Sequence, residues 1–347
     1  MRGLRKYLTP FAPDQSGAVS VLFELGGIVV ICDAGGCTGN VCGFDEPRWF
    51  EQKSAIFSAG LRDMDAILGR DDRLVAKLAD VVQKIDATFV AVIGTPVPAV
   101  IATDYLALKR MSEKKIKLPI LIVDTDGMEL YDKGEEKAFL ELFKIFAIEK
   151  YQAEEDRIGI LGMTPQDVSD LDAADKIRDL YQQKYGKQAV CYCMGDGLEE
   201  IREASSVSRN IVVSPAALMT AKYLEKTFGT PYEIHYPLVD ELVYDMDYHG
   251  KKVLIVQQQV IANSIRKELL KKGAKRVQIA SWFMMKKELL ADGDVLLRDE
   301  DAYIELVQNG DFDIIFADGC MERMIPEFKG IFVDTRHFAV SGKLIGK

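Results

Sequence analysis

The chain has 347 residues, 48% of them hydrophobic, and a formal net charge of −10. That length sets an expectation of two or three domains, and an acidic chain with scattered Lys and Arg lacks the footprint of a nucleic-acid binder. Every apolar run falls well short of the ~20 residues that cross a bilayer, so neither nucleic acid nor membrane is an expected partner.

The opening segment MRGLRKYLTPFAPDQSG is basic but leads into no adequate apolar stretch, so no signal peptide is expected and the setting reads as cytoplasmic. Asp14 to Leu25 reads as a helix running into a strand from Gly27 to Cys32. After a glycine-rich loop, Lys53 to Phe57 reads as a strand, Arg62 to Leu68 as a short helix and Asp71 to Ile85 as a longer one. Leu74, Leu78, Val81, Val82 and Ile85 share one face of the longer helix, and Asp71 is placed to cap it. Thr88 to Ile93 and Leu118 to Val123 are expected buried strands, joined by a crossover helix from Val97 to Met111. This βαβ repetition predicts a parallel sheet.

The alternation continues with a helix Glu135 to Ile148, strand Arg157 to Leu161, helix Ser169 to Tyr185, strand Gln188 to Cys193 and helix Leu198 to Ala204. Strand Asn210 to Val213, helix Ala216 to Phe228 and the extended Pro231 to Tyr236 complete a second block. A third begins at Gly250, with strands over KKVLIVQQ, Lys275 to Ser281, Phe312 to Ala317 and Gly330 to Asp334. Its helices are Val260 to Lys272 and Asp299 to Gln308. The expected organisation is three α/β units, 1–132, 133–249 and 250–347.

Cys32, Cys37, Cys42, Cys191, Cys193 and Cys320 are too few and too unevenly spaced for a disulfide scaffold. The first three are each five residues apart in GIVVICDAGGCTGNVCGFDEPRW. A glycine-rich loop carrying thiols at the carboxyl end of a buried strand suits an iron-sulfur cluster, which needs thiolate ligands and backbone N–H donors. Buried packing is the competing reading, since cysteine is also a small hydrophobe. Cys191 and Cys193 flank one residue at a strand end, where alternation points both to the same face. With Asp196 and the amides of Gly195 and Gly197 they form a second candidate site, and core packing is again the alternative. No P-loop and no G-x-S-x-G elbow occurs, and Gly195-Asp196-Gly197 lacks the third glycine of a dinucleotide fingerprint. The acidic turn at Asp124, Asp126, Glu129 and Asp132 reads as a solvated loop.

Four segments, in order, resemble the catalytic component 1 of nitrogenases and its relatives, the dark-operative protochlorophyllide reductases and nickel-tetrapyrrole reductive cyclases. Asp33-Ala34-Gly35-Gly36-Cys37 resembles the family's glycine-containing loop ending in a cluster-ligating cysteine. The segments Phe57 to Ile85, Phe89 to Tyr105, and Lys222 to Tyr236 followed by the Gly250 to Gln257 strand are similar to its later turns, helices and domain hand-over.

The resemblance implies three Rossmann-like domains with mostly parallel sheets. It also implies a cluster, [4Fe–4S] in the simplest case, at an interface with a second copy or a homologous subunit. Of the three cysteines a family subunit supplies, only Cys37 matches a position. The first falls near Pro13 or Asp14 and the last is Thr95. Asp14 is a candidate iron ligand, with a helix cap as the alternative. Cys32 and Cys42 join Cys37 as a candidate three-thiolate site, completed by Asp14, Asp33 or a second subunit. Gly35, Gly36, Thr95 and His337 are the expected cofactor-lining positions. The cysteine that holds the active-site cofactor of true nitrogenases would fall near Val213 or Ser214, and its histidine near Arg336 or His337, so dinitrogen reduction is not expected.

The resulting reading is an iron-sulfur electron-transfer or substrate-reducing subunit served by a separate P-loop, ATP-dependent iron-sulfur reductase. The alternative is a non-catalytic scaffold or carrier for a cluster or a second, unidentified metal cofactor. A small-molecule receptor of the periplasmic-binding type is a third possibility, disfavoured by the cysteine loop.

Overall fold

The computed structural model describes residues 5–52 and 54–346. Short runs of Ile, Val and Ala, with Phe316, form inner strands buried on both faces, as parallel sheets demand, while the edge strands are partly exposed. The first sheet contains β1 (Ile28–Ile31), β2 (Ala55–Ser58), β3 (Val90–Ile93) and β4 (Ile120–Val123), ordered β2-β1-β3-β4 with every pair parallel. The second contains β5 (Glu154–Leu161), β6 (Gln188–Cys191), β7 (Val207–Val212) and β8 (Tyr232–Ile234), ordered β6-β5-β7-β8 and again all parallel. The third holds β9 (Lys252–Val256), β10 (Arg276–Ser281), β11 (Val295–Leu296), β12 (Ile314–Ala317) and β13 (Ile331–Asp334), in the parallel order β11-β10-β9-β12-β13.

Each sheet has a point where the chain changes its direction of winding: β1/β3, β5/β7 and β9/β12. The crevice beyond the carboxyl ends of such strands is where α/β sheets bind ligands. Two core clusters cross between sheets. One joins Val29 and Ala91 of the first to Val190 and Val212 of the second. Another joins Ile158 and Ile211 to Val253 and Phe316 of the third.

The helices Asp14–Leu22 and Tyr131–Phe146 cross almost backbone to backbone. A Cβ at Gly17 would lie 1.9 Å from the Tyr131 carbonyl oxygen, and one at Gly134 would lie 1.7 Å from that of Asp14. Only glycine allows this approach. It fixes the first turn of the second helix, which carries Tyr131, Asp132 and Glu135.

Several elements differ from expectation. The crossover after β3 is two helices, Pro96–Val100 and Tyr105–Lys115, because Ala102 takes a left-handed φ of 53° and Asp104 caps the second by accepting from the Ala107 amide at 2.9 Å. The helix expected from Ser169 starts at Ala173; Ser169 has φ 58° and ends the short helix Pro165–Val168. Asp71 lies inside its helix, with Arg70 at the cap. The expected strand start at Lys53 lies outside the described residues. Among those residues no helix is long and apolar enough to cross a membrane.

Candidate functional site

Cys32 directly follows β1, and strand alternation decides its surroundings. It packs with Ile28, Val30, Val90 and Leu74 on one face of the first sheet. Burial pushes its thiol up to about 12, with the Asp33 charge adding to the effect. Gly35 then turns through a left-handed φ of 117° into the helix Gly36–Asn40, which carries Cys37. A π-turn over Val41–Asp45 follows and carries Cys42. The segment expected as an open loop is therefore helical.

Cys37 and Cys42 are half-buried and pack against the opposite cluster, the one containing Val29, Ile31 and Ile93. Burial raises both thiols, with Asp33 adding to the effect at Cys37 and Glu46 at Cys42. Cys32 thus does not join the other two. Among the described residues no three His, Cys, Asp or Glu side chains gather in a metal-holding group. Among the described residues, Cys32, Cys37 and Cys42 do not gather into one three-thiolate group. It does present two thiols on one helical segment, beside an open backbone: a Cβ at Gly35, Gly36, Gly39 or Gly43 would meet nothing within 4 Å.

Thr95 links this segment to the sheet, donating from its hydroxyl to the Cys32 carbonyl at 2.6 Å and contacting the Cys37 thiol. Asp33 fastens the turn by accepting from the Thr38 amide at 2.8 Å and the Ser58 hydroxyl at 2.6 Å. The far end is anchored by Arg48, which is 2% exposed. Its guanidinium forms a two-pronged pair with Glu46, both bonds 2.7 Å, and reaches Glu24 at 2.9 Å and the Ser20 carbonyl at 2.6 Å. A further bond to the Cys193 carbonyl, at 3.3 Å, ties the cysteine segment to the second sheet.

The remaining predicted positions separate. β6 ends at Cys191, and Cys193 lies beyond it with a left-handed φ of 67°, so alternation no longer applies. Cys191 packs in the core shared with the third sheet and Cys193 in the core shared with the first; the two do not share a face. The Gly195 amide donates to Glu24 at 2.7 Å, and the Asp196 carboxylate accepts from the Cys191 amide and pairs with Arg178. That turn is satisfied by the protein's own groups. Asp14 is not the helix cap, which is Pro13; its fully buried carboxylate accepts from the amides of Asp126 and Gly127 at 3.0 and 2.8 Å. It pins the acidic turn, of which Asp132 is buried rather than solvated.

The carboxyl ends of the sheets converge on a buried polar junction. Tyr131, Asp132 and Glu135 come from the helix after β4; Thr164, Gln166 and Asp167 follow β5; Asp318 follows β12 and His337 follows β13. Tyr131 donates to Asp167 at 2.5 Å, which uses its one proton. The His337 Nε2, 3.0 Å from the same hydroxyl, must then carry a hydrogen and donate to it. Asp318 accepts from the His337 amide at 3.0 Å, and Thr164 donates to Glu135 Oε1 at 2.5 Å. Asp132 accepts from the Met284 amide at 2.5 Å, joining the first and third sheets. Burial drives Asp132 up to about 6 and Glu135 well above the usual carboxylate range, the latter helped by the charge of Asp167. Gln258 spans from the third sheet to the Val213 carbonyl at 2.7 Å.

Of this junction, the sequence singles out His337 as a cofactor-lining position, and Asp132 only as part of an acidic turn expected to be solvated, whereas it is buried. Glu135 had a visible signal: with Tyr131, Ala138 and Leu142 it falls on the buried face of its helix, where a carboxylate is out of place. Gln166 also borders an open groove of about 1070 Å³, lined by Phe11, Phe44, Phe50, Phe338 and Leu344 among others.

Three parallel sheets with converging carboxyl ends, one of them followed by a glycine-rich thiol segment, define a three-unit Rossmann-like α/β protein. Residues 14–240 match the family described as nitrogenase component 1 type oxidoreductase, and the chain belongs to that family. Among curated relatives, the nitrogenase iron-molybdenum cofactor biosynthesis protein NifE of Clostridium pasteurianum is 29% identical over 181 residues, 51% of this chain and 38% of that protein. NifE of Bradyrhizobium diazoefficiens is 22% identical over 185 residues, 51% and 32% of the two chains. The matched region thus spans about a third of these relatives' length. Of solved structures, nitrogenase Cp1 at pH 6.5 superposes with a TM-score of 0.71 at 12% identity, covering 96% of this chain and 87% of that one. The form at pH 5 gives 0.69 at 15%, covering 96% and 84%. Those likenesses establish the fold.

Proposed function

We propose that this chain is a scaffold or carrier subunit for an iron-sulfur cluster or related metal cofactor, built from α/β units at 1–132, 133–249 and 250–347. The observation that carries the reading is the distribution of thiols. Cys37 and Cys42 are half-exposed together on one segment, whereas Cys32, Cys191 and Cys193 are buried in separate cores and the half-buried Cys320 stands alone after β12, against the core of the third sheet. Two accessible thiols on one segment fit part of a ligand set and leave the rest to a second copy or a homologous subunit. A cluster held that way, at an edge, is suited to transfer rather than permanent residence. When bound it supplies one-electron chemistry. The cofactor-biosynthesis names of the NifE relatives support the same direction.

A second reading, an electron-accepting or substrate-reducing subunit served by a separate ATP-dependent reductase, is favoured by the junction. There Tyr131 and His337 place proton donors beside Asp167 at the carboxyl ends of the sheets. The two readings separate in one experiment. The protein is loaded anaerobically with iron and sulfide, then mixed with the apo form of a [4Fe–4S] protein. Transfer of the cluster to the acceptor supports the scaffold. A cluster that stays and is reduced by a P-loop iron-sulfur reductase supports the second reading.

A further inference from the structure

The junction contains buried oxygen atoms that the hydrogen-bond network leaves without partners. Glu135 is fully buried and Asp167 is 2% exposed. One oxygen of each is satisfied: Glu135 Oε1 accepts from Thr164, and Asp167 Oδ1 accepts from Tyr131. The other oxygen of each, Glu135 Oε2 and Asp167 Oδ2, has no donor among the described residues. Two ionised carboxylates left this way would each bear the desolvation cost of an unmet buried acceptor and would repel one another.

We infer that Glu135 and Asp167 form a buried proton-holding pair, one proton lying between Glu135 Oε2 and Asp167 Oδ2, at the point where the first two sheets meet. The proton converts one orphan acceptor into a donor and satisfies both oxygens at once. Two carboxyl groups in one dry site share a proton for this reason. The surrounding groups favour the arrangement. From its own helix Glu135 faces Asp132, and from the segment after β5 it faces Asp167; Arg48 acts on it as a cation, and the His337 Nε2 lies 3.8 Å from Asp167 Oδ1. Arg48 is already bonded to Glu46 and Glu24, so its charge is largely spoken for. Tyr131 and His337 are positioning residues here: the hydroxyl holds Asp167 Oδ1, which leaves Oδ2 as the oxygen without a donor. The inference rests on the junction alone and is independent of any cluster at Cys37.

Infrared spectroscopy of the native protein near neutral pH tests it. A protonated carboxylic acid has a C=O stretch separate from those of carboxylates and amides, and 13C labelling of side-chain carboxyl carbons assigns it to glutamate or aspartate. The expected result is a band at pH 7 to 8 that shifts on labelling of one or both residue types and disappears in Glu135→Gln. In Asp167→Asn the band shifts in frequency, because its acceptor changes from carboxylate to amide. A native spectrum with no such band overturns the pair whichever variants fold. So does a band that persists unaltered in both Glu135→Gln and Asp167→Asn.

Discussion

Replacing Arg48 by Ala should unfold the connection between the cysteine segment and the second sheet at a large cost. The side chain is 2% exposed and Glu46 only 1%. Removing the guanidinium deletes both bonds to Glu46, the 2.9 Å bond to Glu24 and the contacts to the Ser20 and Cys193 carbonyls. It leaves the Glu46 carboxylate buried with its amide bond from Arg48 as the remaining partner. Breaking a buried pair in this manner costs about 3–5 kcal/mol. At about 1.4 kcal/mol per tenfold, that is roughly a hundredfold to a few thousandfold in the folding equilibrium constant. Urea denaturation at pH 7, followed by circular dichroism, measures it as a fall in midpoint. Arg48→Met with Glu46→Gln should recover part of the loss, since the uncompensated charge is then gone. Arg48→Lys should also be costly, because an ammonium cannot reproduce the two-pronged geometry. A loss below about 1 kcal/mol for Arg48→Ala would refute the idea that this ion network fixes the cysteine segment, because that is the scale of an exposed pair.

Gly134→Ala places a methyl group 1.7 Å from the Asp14 carbonyl oxygen, so the helices must separate; a loss of at least about 1–3 kcal/mol is expected in the same urea assay. Glu135→Gln tests the junction through pH. The native Glu135 holds its proton above the usual range, so its contribution is fully present below the ordinary glutamate value of about 4.3 and is lost as pH rises toward the native value. Stability of the variant relative to wild type should therefore improve steadily from about pH 4 upward, and a pH-independent difference would contradict the raised pKa. Alkylation by a maleimide at pH 8 should modify Cys37 and Cys42 before Cys32, Cys191 and Cys193, with mass spectrometry assigning the sites; early labelling of Cys193, which is fully buried, would contradict the placement of that thiol.

The parallel α/β architecture was legible because buried parallel strands are short aliphatic runs, and VVI, AVI and LIV stand out between helices of clear periodicity. Strand ends were less legible. The run QAVCYC reads as one strand through Cys193, because nothing in it announces a left-handed residue, yet the strand stops at Cys191. The three cysteines of the first loop looked equivalent at a spacing of five. Strand alternation separates the first from the other two, since Cys32 continues the face of Ile28 and Val30 while the chain reverses at Gly35. The junction was the least legible feature. The pair Tyr131 and Glu135, the pair Thr164 and Asp167, and His337 are distant from one another in sequence, and the close glycine crossing and the convergence of sheet ends bring them together.

Iron and acid-labile sulfide on anaerobically purified protein, wild type beside Cys37→Ala, test the role of the cysteine segment most directly. A cluster completed by a second chain predicts about four irons for every two chains in the wild type and little in the variant. Absence of iron from both proteins after anaerobic reconstitution, or full retention of iron in Cys37→Ala, would contradict a cluster held at this segment.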